Sequence, residues 1–212
     1  MSDSVQKYQG TQAIVYFDGG KCIHARHCVL GQPGVFQANA PGDWIQPDQA
    51  SPAALAEVAH NCPSGAITVE FLSGAPAETA PPVNVIRIRE NGPLAVHAAI
   101  AIGGQAAGTR ATLCRCGASA HKPYCDGSHS AAAFVATGEP ATQECEPLAV
   151  RDGALNISPI PNGPLMVDGN VEICAGTGRM VNRTQKAFLC RCGASDRKPY
   201  CDGSHRKIGF VG

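Results

Sequence analysis

The chain reads Ala111-Thr-Leu-Cys-Arg-Cys-Gly-Ala-Ser-Ala-His-Lys-Pro-Tyr-Cys-Asp-Gly-Ser-His129, and further on it reads Ala187-Phe-Leu-Cys-Arg-Cys-Gly-Ala-Ser-Asp-Arg-Lys-Pro-Tyr-Cys-Asp-Gly-Ser-His205. The two stretches align without a gap, 76 residues apart. Each has three cysteines and one histidine at the spacing C-x-C-x8-C-x3-H. The second part of the chain is therefore an internal repeat built around a candidate metal-binding loop.

The repeat extends upstream of these loops. Asn91-Gly-Pro-Leu-Ala-Val96 matches Asn162-Gly-Pro-Leu-Met-Val167, now only 71 residues apart. The second copy must therefore hold five extra residues between its Asn-Gly-Pro-Leu segment and its cysteine loop, and we expect them around Gly176-Thr-Gly178. Each copy has the same order, a strand, a turn, a second strand and then the cysteine loop.

Apolar residues predict short strands in both copies. Val83–Arg89 alternates with period two, and Leu94–Ile102 is a second strand region that Gly103-Gly104 ends. Val171–Cys174 and Ala187–Leu189 are taken as their counterparts in the second copy. We predict two β-rich units, residues 83–140 and 141–212, packed about a pseudo-two-fold axis like the subunits of a homodimer.

Residues 1–72 do not repeat and predict a separate small domain. Ala13–Phe17 reads as a strand, and residues 51–61 read as a helix that Ser51 caps with Pro52 at its first position. Residues 73–82, rich in Ala and Pro, are typical of a linker. The whole chain is predicted to be α+β, a small N-terminal domain followed by the two β-rich units.

The composition indicates which cellular compartment and which class of binding partner to expect. Seventeen basic residues balance seventeen acidic ones, which gives no electrostatic case for binding nucleic acid or a membrane surface. The start of the chain lacks the basic and apolar regions of a secretory signal, and no apolar run approaches the roughly 20 residues of a membrane helix. We therefore expect a cytoplasmic protein, in which eleven cysteines indicate metal ligation or redox work rather than disulfides.

Three thiolates and one imidazole per loop suit either zinc or an iron–sulfur cluster. Ligands separated by one residue favour a cluster edge, since zinc sites more often use C-x2-C, but a zinc-bound interaction module stays open. The candidate ligands are Cys114, Cys116, Cys125 and His129 in the first copy and Cys190, Cys192, Cys201 and His205 in the second.

Both loops resemble the CDGSH iron–sulfur proteins of the mitoNEET type, whose signature is Cys-Asp-Gly-Ser-His. The match includes Ser119 and Ser195 and the proline before Tyr-Cys. The resemblance implies one [2Fe–2S] cluster per motif, in which the C-x-C pair holds one iron and the Cys–His pair holds the other. Those proteins are usually dimers with one motif per subunit, so here the tandem copies would form the dimer-like unit within one chain.

The N-terminal domain holds a third group of cysteines. Cys22 and Cys28 are separated by five residues, and Cys62-Pro63 follows, as in a bacterial ferredoxin whose middle cysteine is replaced by Ala25. Three thiolates suit a [3Fe–4S] cluster; the alternatives are a [4Fe–4S] cluster with His24 or His27 as fourth ligand, or an empty domain. Residues 8–72 resemble the divergent single-cluster ferredoxin domain found beside CDGSH motifs, on Gly34-Val-Phe36 and Cys62-Pro-Ser-Gly-Ala-Ile67.

These features predict an electron-transfer protein with two [2Fe–2S] clusters and a third, [3Fe–4S] or [4Fe–4S], cluster. No flavin or nicotinamide fingerprint and no nucleophile elbow is present, so we expect no enzyme activity. The alternative is a cluster carrier or a redox or pH sensor, in which protonation of His129 and His205 releases the clusters. Expected partners are redox proteins or apo iron–sulfur proteins, and the expected state is a monomer. Cys145 and Cys174, outside every motif, are expected to be small buried hydrophobes.

Overall fold

The structure is a computed structural model that describes residues 5–74 and 78–212. The chain forms two compact units, Met1–Thr79 and Ala80–Gly212, each a mixture of sheet and short helix, as predicted for the α+β class. Residues 75–77 of the predicted linker lie outside the described residues, and the boundary at 140/141 stays a prediction. In the part of the chain that the structure describes, no helix has the length and apolar character needed to cross a membrane.

Over its described residues, the first unit is a three-stranded antiparallel sheet with two α-helices and two single-turn 3-10 helices. Its strands are β1 (Val5–Gln9), β2 (Ala13–Asp18) and β3 (Ile67–Phe71), and its helices are α1 (His27–Gly31) and α2 (Pro52–Asn61). Strand β2 lies in the centre and pairs with both others. The strand predicted at 13–17 and the helix predicted at 51–61 are both confirmed.

Helix α2 forms where the sequence places a cap and one apolar face. The Ser51 hydroxyl accepts a hydrogen bond from the Ala54 N–H at 3.3 Å, which satisfies one of the unpaired donors of the first turn. Leu55, Val58 and Ala59 are buried on its inner face. Their burial ties the helix to the core of the sheet and so holds Cys62, the next residue after the helix, in a fixed position.

The second unit contains six strands and two one-turn helices. They are β4 (Val85–Ile88), β5 (Leu94–Ile102), β6 (Gln105–Leu113), β7 (Ala154–Pro159), β8 (Leu165–Cys174), β9 (Met180–Leu189), α3 (Ser128–Ala131) and α4 (Ser204–Lys207). Every second residue of β5 is buried, as its sequence alternation predicts. The buried side chains of both copies form one continuous apolar core.

The strands of the two copies pair with one another. Strand β5 lies antiparallel to β4 and β6 and parallel to β7. Strand β8 lies antiparallel to β7 and β9 and parallel to β4. Each central strand therefore contacts the neighbours from its own copy and the first strand of the other copy. As a result, the three strands of each copy are joined into one six-stranded sheet.

The predicted strand counterparts in the second copy are wrong, whereas the predicted place of the insertion is confirmed for three of its five residues. The counterpart of β4 is β7, whereas Val171–Cys174 is the second half of β8 and Ala187–Leu189 is the end of β9. The β5–β6 turn has two residues and the β8–β9 turn has five, and β8 and β9 are each one residue longer than β5 and β6. Three of the five extra residues thus lie in the turn that contains Gly176–Gly178, and the strands absorb the other two.

Candidate metal centres

Each cysteine loop begins where a long strand ends and folds back onto that strand. Cys114 directly follows β6, and its N–H donates to the Pro123 carbonyl at 2.8 Å. The Cys125 N–H donates to the Thr112 carbonyl at 2.9 Å, so the third cysteine returns beside the first. The second loop repeats both hydrogen bonds, to Pro199 at 2.7 Å and to Phe188 at 2.9 Å. These contacts bring the four candidate ligands of each motif to one end of the sheet.

Within each motif the candidate ligand atoms come as two close pairs. The Sγ atoms of Cys114 and Cys116 are 3.7 Å apart, and those of Cys190 and Cys192 are 3.8 Å apart. Nδ1 of each histidine lies 3.4 Å from the Sγ of the cysteine four residues before it. A tetrahedral metal ion with bonds of about 2.3 Å to sulfur holds two donors about 3.8 Å apart. Each pair therefore has the spacing to chelate one metal ion.

The two pairs of a motif do not converge on one point. In the described residues, neither motif has three of its ligand atoms within 4.8 Å of one another. A single tetrahedral zinc ion would hold all four donors within about 4 Å of each other. The donor set therefore fits two metal ions side by side, one per pair, better than it fits one.

Backbone N–H groups point at the ligand sulfurs. The Ala118 N–H donates to the Cys116 Sγ, and the Gly127 N–H donates to the Cys125 Sγ, each at 3.4 Å. In the second motif the Gly203 N–H donates to the Cys201 Sγ at 3.4 Å. Such donors stabilise negative charge on sulfur and favour the reduced form of a bound cluster.

The aspartate after the third cysteine orders the loop in a way that the sequence did not predict. The N-cap of α3 is Gly127, at φ +87°, and not the preceding Asp126. Asp126 instead accepts hydrogen bonds from the Ser128 N–H at 3.0 Å and the Ala120 N–H at 2.8 Å. Burial alone would raise the pKa of Asp126, but these hydrogen bonds outweigh it and hold the pKa well below its usual range.

The thiols themselves are prepared unequally for metal binding. The hydrogen bond between the Cys116 and Cys114 thiols lowers the pKa of Cys114 below its ordinary value, and burial opposes that shift. Burial raises the pKa of Cys125 to about 11. A metal ion must therefore displace a proton from Cys125 when it binds.

Each motif also contains a buried arginine between its first two cysteines. Arg115 is 1% exposed and Arg191 is 3% exposed. Burial lowers the pKa of Arg115 to about 10, which leaves it charged at neutral pH, and the nearby Cys190 and Glu90 oppose that effect. Burial also lowers the pKa of Arg191, and here Cys114 opposes it. Each arginine is thus close enough to the other motif to feel the charge of its first cysteine.

The two loops meet through their backbones. Cys116 and Cys192 form an antiparallel bridge. A Cβ added at Gly117 would lie 2.6 Å from the Cys192 carbonyl oxygen, and one added at Gly193 would lie 2.5 Å from the Cys116 oxygen. Both glycines also have φ above +80°, a conformation that strains other residues. Glycine is therefore required at both positions for this approach.

The N-terminal cysteines line a cavity of about 520 Å³. Cys22, Cys28 and Cys62 all face it, together with Ala25 and Trp44. Burial raises the pKa of Cys22 and of Cys28, and the neighbouring Cys62 adds to that rise. The cavity is large enough for a multi-iron cluster, and Ala25 offers no donor atom at the position of the missing cysteine.

The two histidines near this cavity are both exposed. Nδ1 of His24 lies 4.0 Å from the Cys22 Sγ. Two ligands of one metal ion have this spacing, whereas the ligands of a cluster bind separate irons. Nδ1 of His27 lies 2.9 Å from the Asn61 carbonyl oxygen. Neither contact singles out a fourth ligand.

The sequence pattern did not predict the roles of some residues around the sites. The buried arginines occur at the same place in both copies, and that repetition was the available signal. Asn91 and Asn162 are another such pair, since each side chain accepts a hydrogen bond from the end of its own loop, at Ala136 and Gly212. Cys174 is buried as expected, whereas Cys145 is partly exposed, because it lies in a segment without regular structure.

Comparisons with known proteins match both parts of the chain. The family described as iron-binding zinc finger, CDGSH type, matches residues 91–130 and 162–206. The family described as divergent 4Fe-4S mono-cluster matches residues 8–70. The uncharacterized protein YjdI of Escherichia coli, from strains K12 and O157:H7, is 37% identical over 60 residues, which are 28% of this chain and 78% of that protein. No solved structure matches.

Proposed function

Because this chain belongs to the CDGSH iron-binding family and carries an N-terminal domain of the divergent 4Fe-4S mono-cluster family, we propose that it is an electron-transfer protein with three clusters. Two are [2Fe–2S] clusters on the CDGSH motifs. The third, in the N-terminal domain, is a [3Fe–4S] cluster. The chain is an iron–sulfur protein in any case, and the number, type and role of its clusters are the proposal.

The observation that carries the proposal is the pairing of the ligand atoms. The Cys–Cys and Cys–His pairs, with internal distances of 3.4–3.8 Å, each suit one iron of a [2Fe–2S] cluster. Such a cluster takes up and releases one electron. The neutral imidazole ligand, in place of a thiolate, and the N–H groups on the sulfurs both favour the reduced state. These residues therefore support a cluster that accepts electrons readily.

We further propose that the two CDGSH units pack about a pseudo-two-fold axis. The support is that the strand pairings between the copies and the glycine contacts between the loops are reciprocal. Strand β4 pairs with β8 as β7 pairs with β5, and Gly117 contacts Cys192 as Gly193 contacts Cys116. One chain would then supply both halves of the dimer-like unit, which supports a monomer.

For the N-terminal domain, the support is the set of three cysteines with Ala25 in the fourth position around one cavity. Three thiolates match the three irons of a [3Fe–4S] cluster.

Replacing Ala25 with Cys should supply the fourth thiolate and convert the cluster to [4Fe–4S]. The oxidised protein would then lose the EPR signal of a [3Fe–4S] cluster. Ala38→Cys, on the same cavity, is the control and should leave that signal unchanged. A signal that survives Ala25→Cys would count against this cluster type.

In this role the protein passes electrons between partner proteins and catalyses no reaction of its own, and we propose the cytoplasm as its compartment. The test is to reduce the purified protein anaerobically with a flavin reductase and to add an oxidised electron acceptor of higher potential, such as a cytochrome c. Stoichiometric reoxidation with the clusters retained is expected. Loss of the clusters during one cycle of reduction and oxidation would rule out electron transfer.

A second candidate function, donation of clusters to apo-proteins, is favoured by the exposure of the ligands. His129 and His205 are only partly buried, whereas Cys114 and Cys190 are almost fully buried. A ligand at the surface can be exchanged for one from a partner without unfolding the loop. Incubation with apo-ferredoxin, followed by separation of the two proteins, measures whether the cluster moves. A zinc-bound interaction module is the third candidate, and the divergence of the ligand pairs counts against it.

A further inference from the structure

Within the described residues, the hydrogen bonds that the Arg115 side chain donates all go to backbone carbonyls. Its Nε donates to the Gly92 carbonyl at 2.9 Å and its Nη1 to the Thr137 carbonyl at 3.0 Å. Its Nη2 donates to the carbonyls of Arg89 at 2.6 Å and of Ala136 at 3.1 Å. The guanidinium also lies 5.4 Å from the centre of the Phe134 ring. The nearby Glu90 carboxylate accepts its hydrogen bond from the Gly138 N–H instead.

Arg191 occupies the equivalent place in the second motif. Its Nε donates to the Gly163 carbonyl at 3.0 Å, and its Nη2 donates to the Ile160 and Gly212 oxygens, each at 2.7 Å. Its guanidinium lies 5.4 Å from the Phe210 ring centre. In both CDGSH units, therefore, a buried arginine hydrogen-bonds both to the turn before the motif and to the segment after it.

Hydrogen bonds to carbonyls satisfy the N–H groups of an arginine but do not neutralise its charge. Burying a cation without an anion costs several kcal/mol. A [2Fe–2S] cluster with three thiolates and one neutral histidine carries a charge of about −1 when oxidised and about −2 when reduced. Besides Glu90 near Arg115, the cluster sites are a source of negative charge that could compensate, because Cys116 and Cys190 lie near Arg115 and Cys114 lies near Arg191.

We propose that Arg115 and Arg191 are counter-charges of the clusters and raise their reduction potentials, each acting on both clusters. The action on both follows from the bridge between Cys116 and Cys192, which joins the two loops next to the arginines. Reduction adds a negative charge to the cluster, so a fixed cation nearby stabilises the reduced form. This inference rests on the proposed [2Fe–2S] clusters.

The experiment compares two substitutions to separate the effect of the arginine's charge from the effect of its hydrogen bonds. Arg115→Lys keeps the charge and loses the forked hydrogen bonds, whereas Arg115→Gln loses the charge and keeps some hydrogen bonding. Potentials are measured by anaerobic redox titration of the purified protein followed by visible absorbance. Arg197→Gln, at an exposed position of the second loop, is the control for removing a charge that solvent screens.

We expect Arg115→Gln to lower the ratio of reduced to oxidised cluster about tenfold at a fixed potential. For one electron, that equals a shift of 59 mV. Both CDGSH clusters should shift, Arg191→Gln should behave alike, and Arg115→Lys and Arg197→Gln should stay near the wild type. The lysine variant keeps the test valid even if a glutamine variant fails to assemble its clusters.

The inference is overturned if Arg115→Lys lowers the potential as much as Arg115→Gln, or if neither changes it, because the arginine is then only a clamp. A shift confined to one cluster refutes the action across the two halves. A protein that contains no iron and sulfide would instead refute the proposed function, so the two failures are distinguishable.

Discussion

Replacing Gly117 with alanine tests whether the two motif loops are packed against each other. The new Cβ would lie 2.6 Å from the Cys192 carbonyl oxygen, a backbone atom that cannot move without shifting the second loop. The matched control is Gly108→Ala in β6. Its φ is +84° against +83° at Gly117, but nothing lies within 4 Å of the added Cβ. The two variants therefore share the conformational strain and differ in the contact.

The expected losses of stability follow from the backbone strain at positive φ and from the contact of the added Cβ. An alanine at positive φ costs about 1–2 kcal/mol, which is the whole effect expected for Gly108→Ala. Overpacking adds about 1–3 kcal/mol at Gly117, for a total of about 2–5 kcal/mol. For a unit of this size each kcal/mol lowers Tm by roughly 2–8 °C.

The assay is the apparent Tm of the cluster-loaded protein, followed by visible absorbance under anaerobic conditions at one scan rate, since cluster loss is irreversible. Gly117→Ala should melt clearly below Gly108→Ala, and both clusters should be lost together. Equal Tm values for the two variants would show that the loops do not touch and would refute the reciprocal packing.

Three further predictions concern single groups. Ser119→Ala should destabilise the second unit by about 1–3 kcal/mol in denaturant melts, because the buried hydroxyl donates to the Tyr124 carbonyl at 2.7 Å and accepts from the His121 N–H; the exposed Ser130→Ala is the control, and equal losses would contradict the prediction. Burial alone would raise the pKa of Glu172, but Arg151 and Arg183, at 3.0 and 3.1 Å, outweigh it and lower that pKa. The charged Glu172 carboxylate therefore stabilises the fold at pH values above its ordinary pKa of 4.5. This stabilisation is lost as the pH falls through the lower pKa that Glu172 has in the folded protein. The stability of Glu172→Gln should decline less steeply below pH 4.5 than that of the wild type, and parallel declines would refute this role. Finally, the double variant His129→Cys, His205→Cys should lose visible absorbance less rapidly than the wild type as pH falls from about 8 to about 5.5; unchanged pH dependence would remove the histidines as the acid-sensitive ligands.

The ligand sets could be predicted from sequence because their geometry is local. Two cysteines one residue apart can hold one metal ion, and the third cysteine and the histidine of each motif are only four residues apart in the chain. Helix α2 was equally predictable, because Ser51 and Pro52 mark its start and its apolar face has the helical period. These features depend on neighbours in the chain, which a sequence pattern records.

The pairing of β4 with β8 and of β5 with β7 was not predictable in the same way. All these strands alternate similarly, so no local signal states which copy supplies the partner. Strand β6 was missed because Gln105–Leu113 is mostly small and polar residues, whose pattern carries little apolar alternation. The burial of Arg115 also escaped prediction, since it depends on carbonyl groups 21 to 26 residues away in the chain.

The most direct test of the three-cluster proposal is the content of iron, acid-labile sulfide and zinc per chain, measured on anaerobically purified protein together with its EPR spectra. Two [2Fe–2S] clusters and one [3Fe–4S] cluster predict about seven irons and about eight sulfides, with an EPR signal in the oxidised protein and further signals on reduction. About four irons without an oxidised signal would mean an empty N-terminal domain. Zinc without sulfide would contradict the account as a whole.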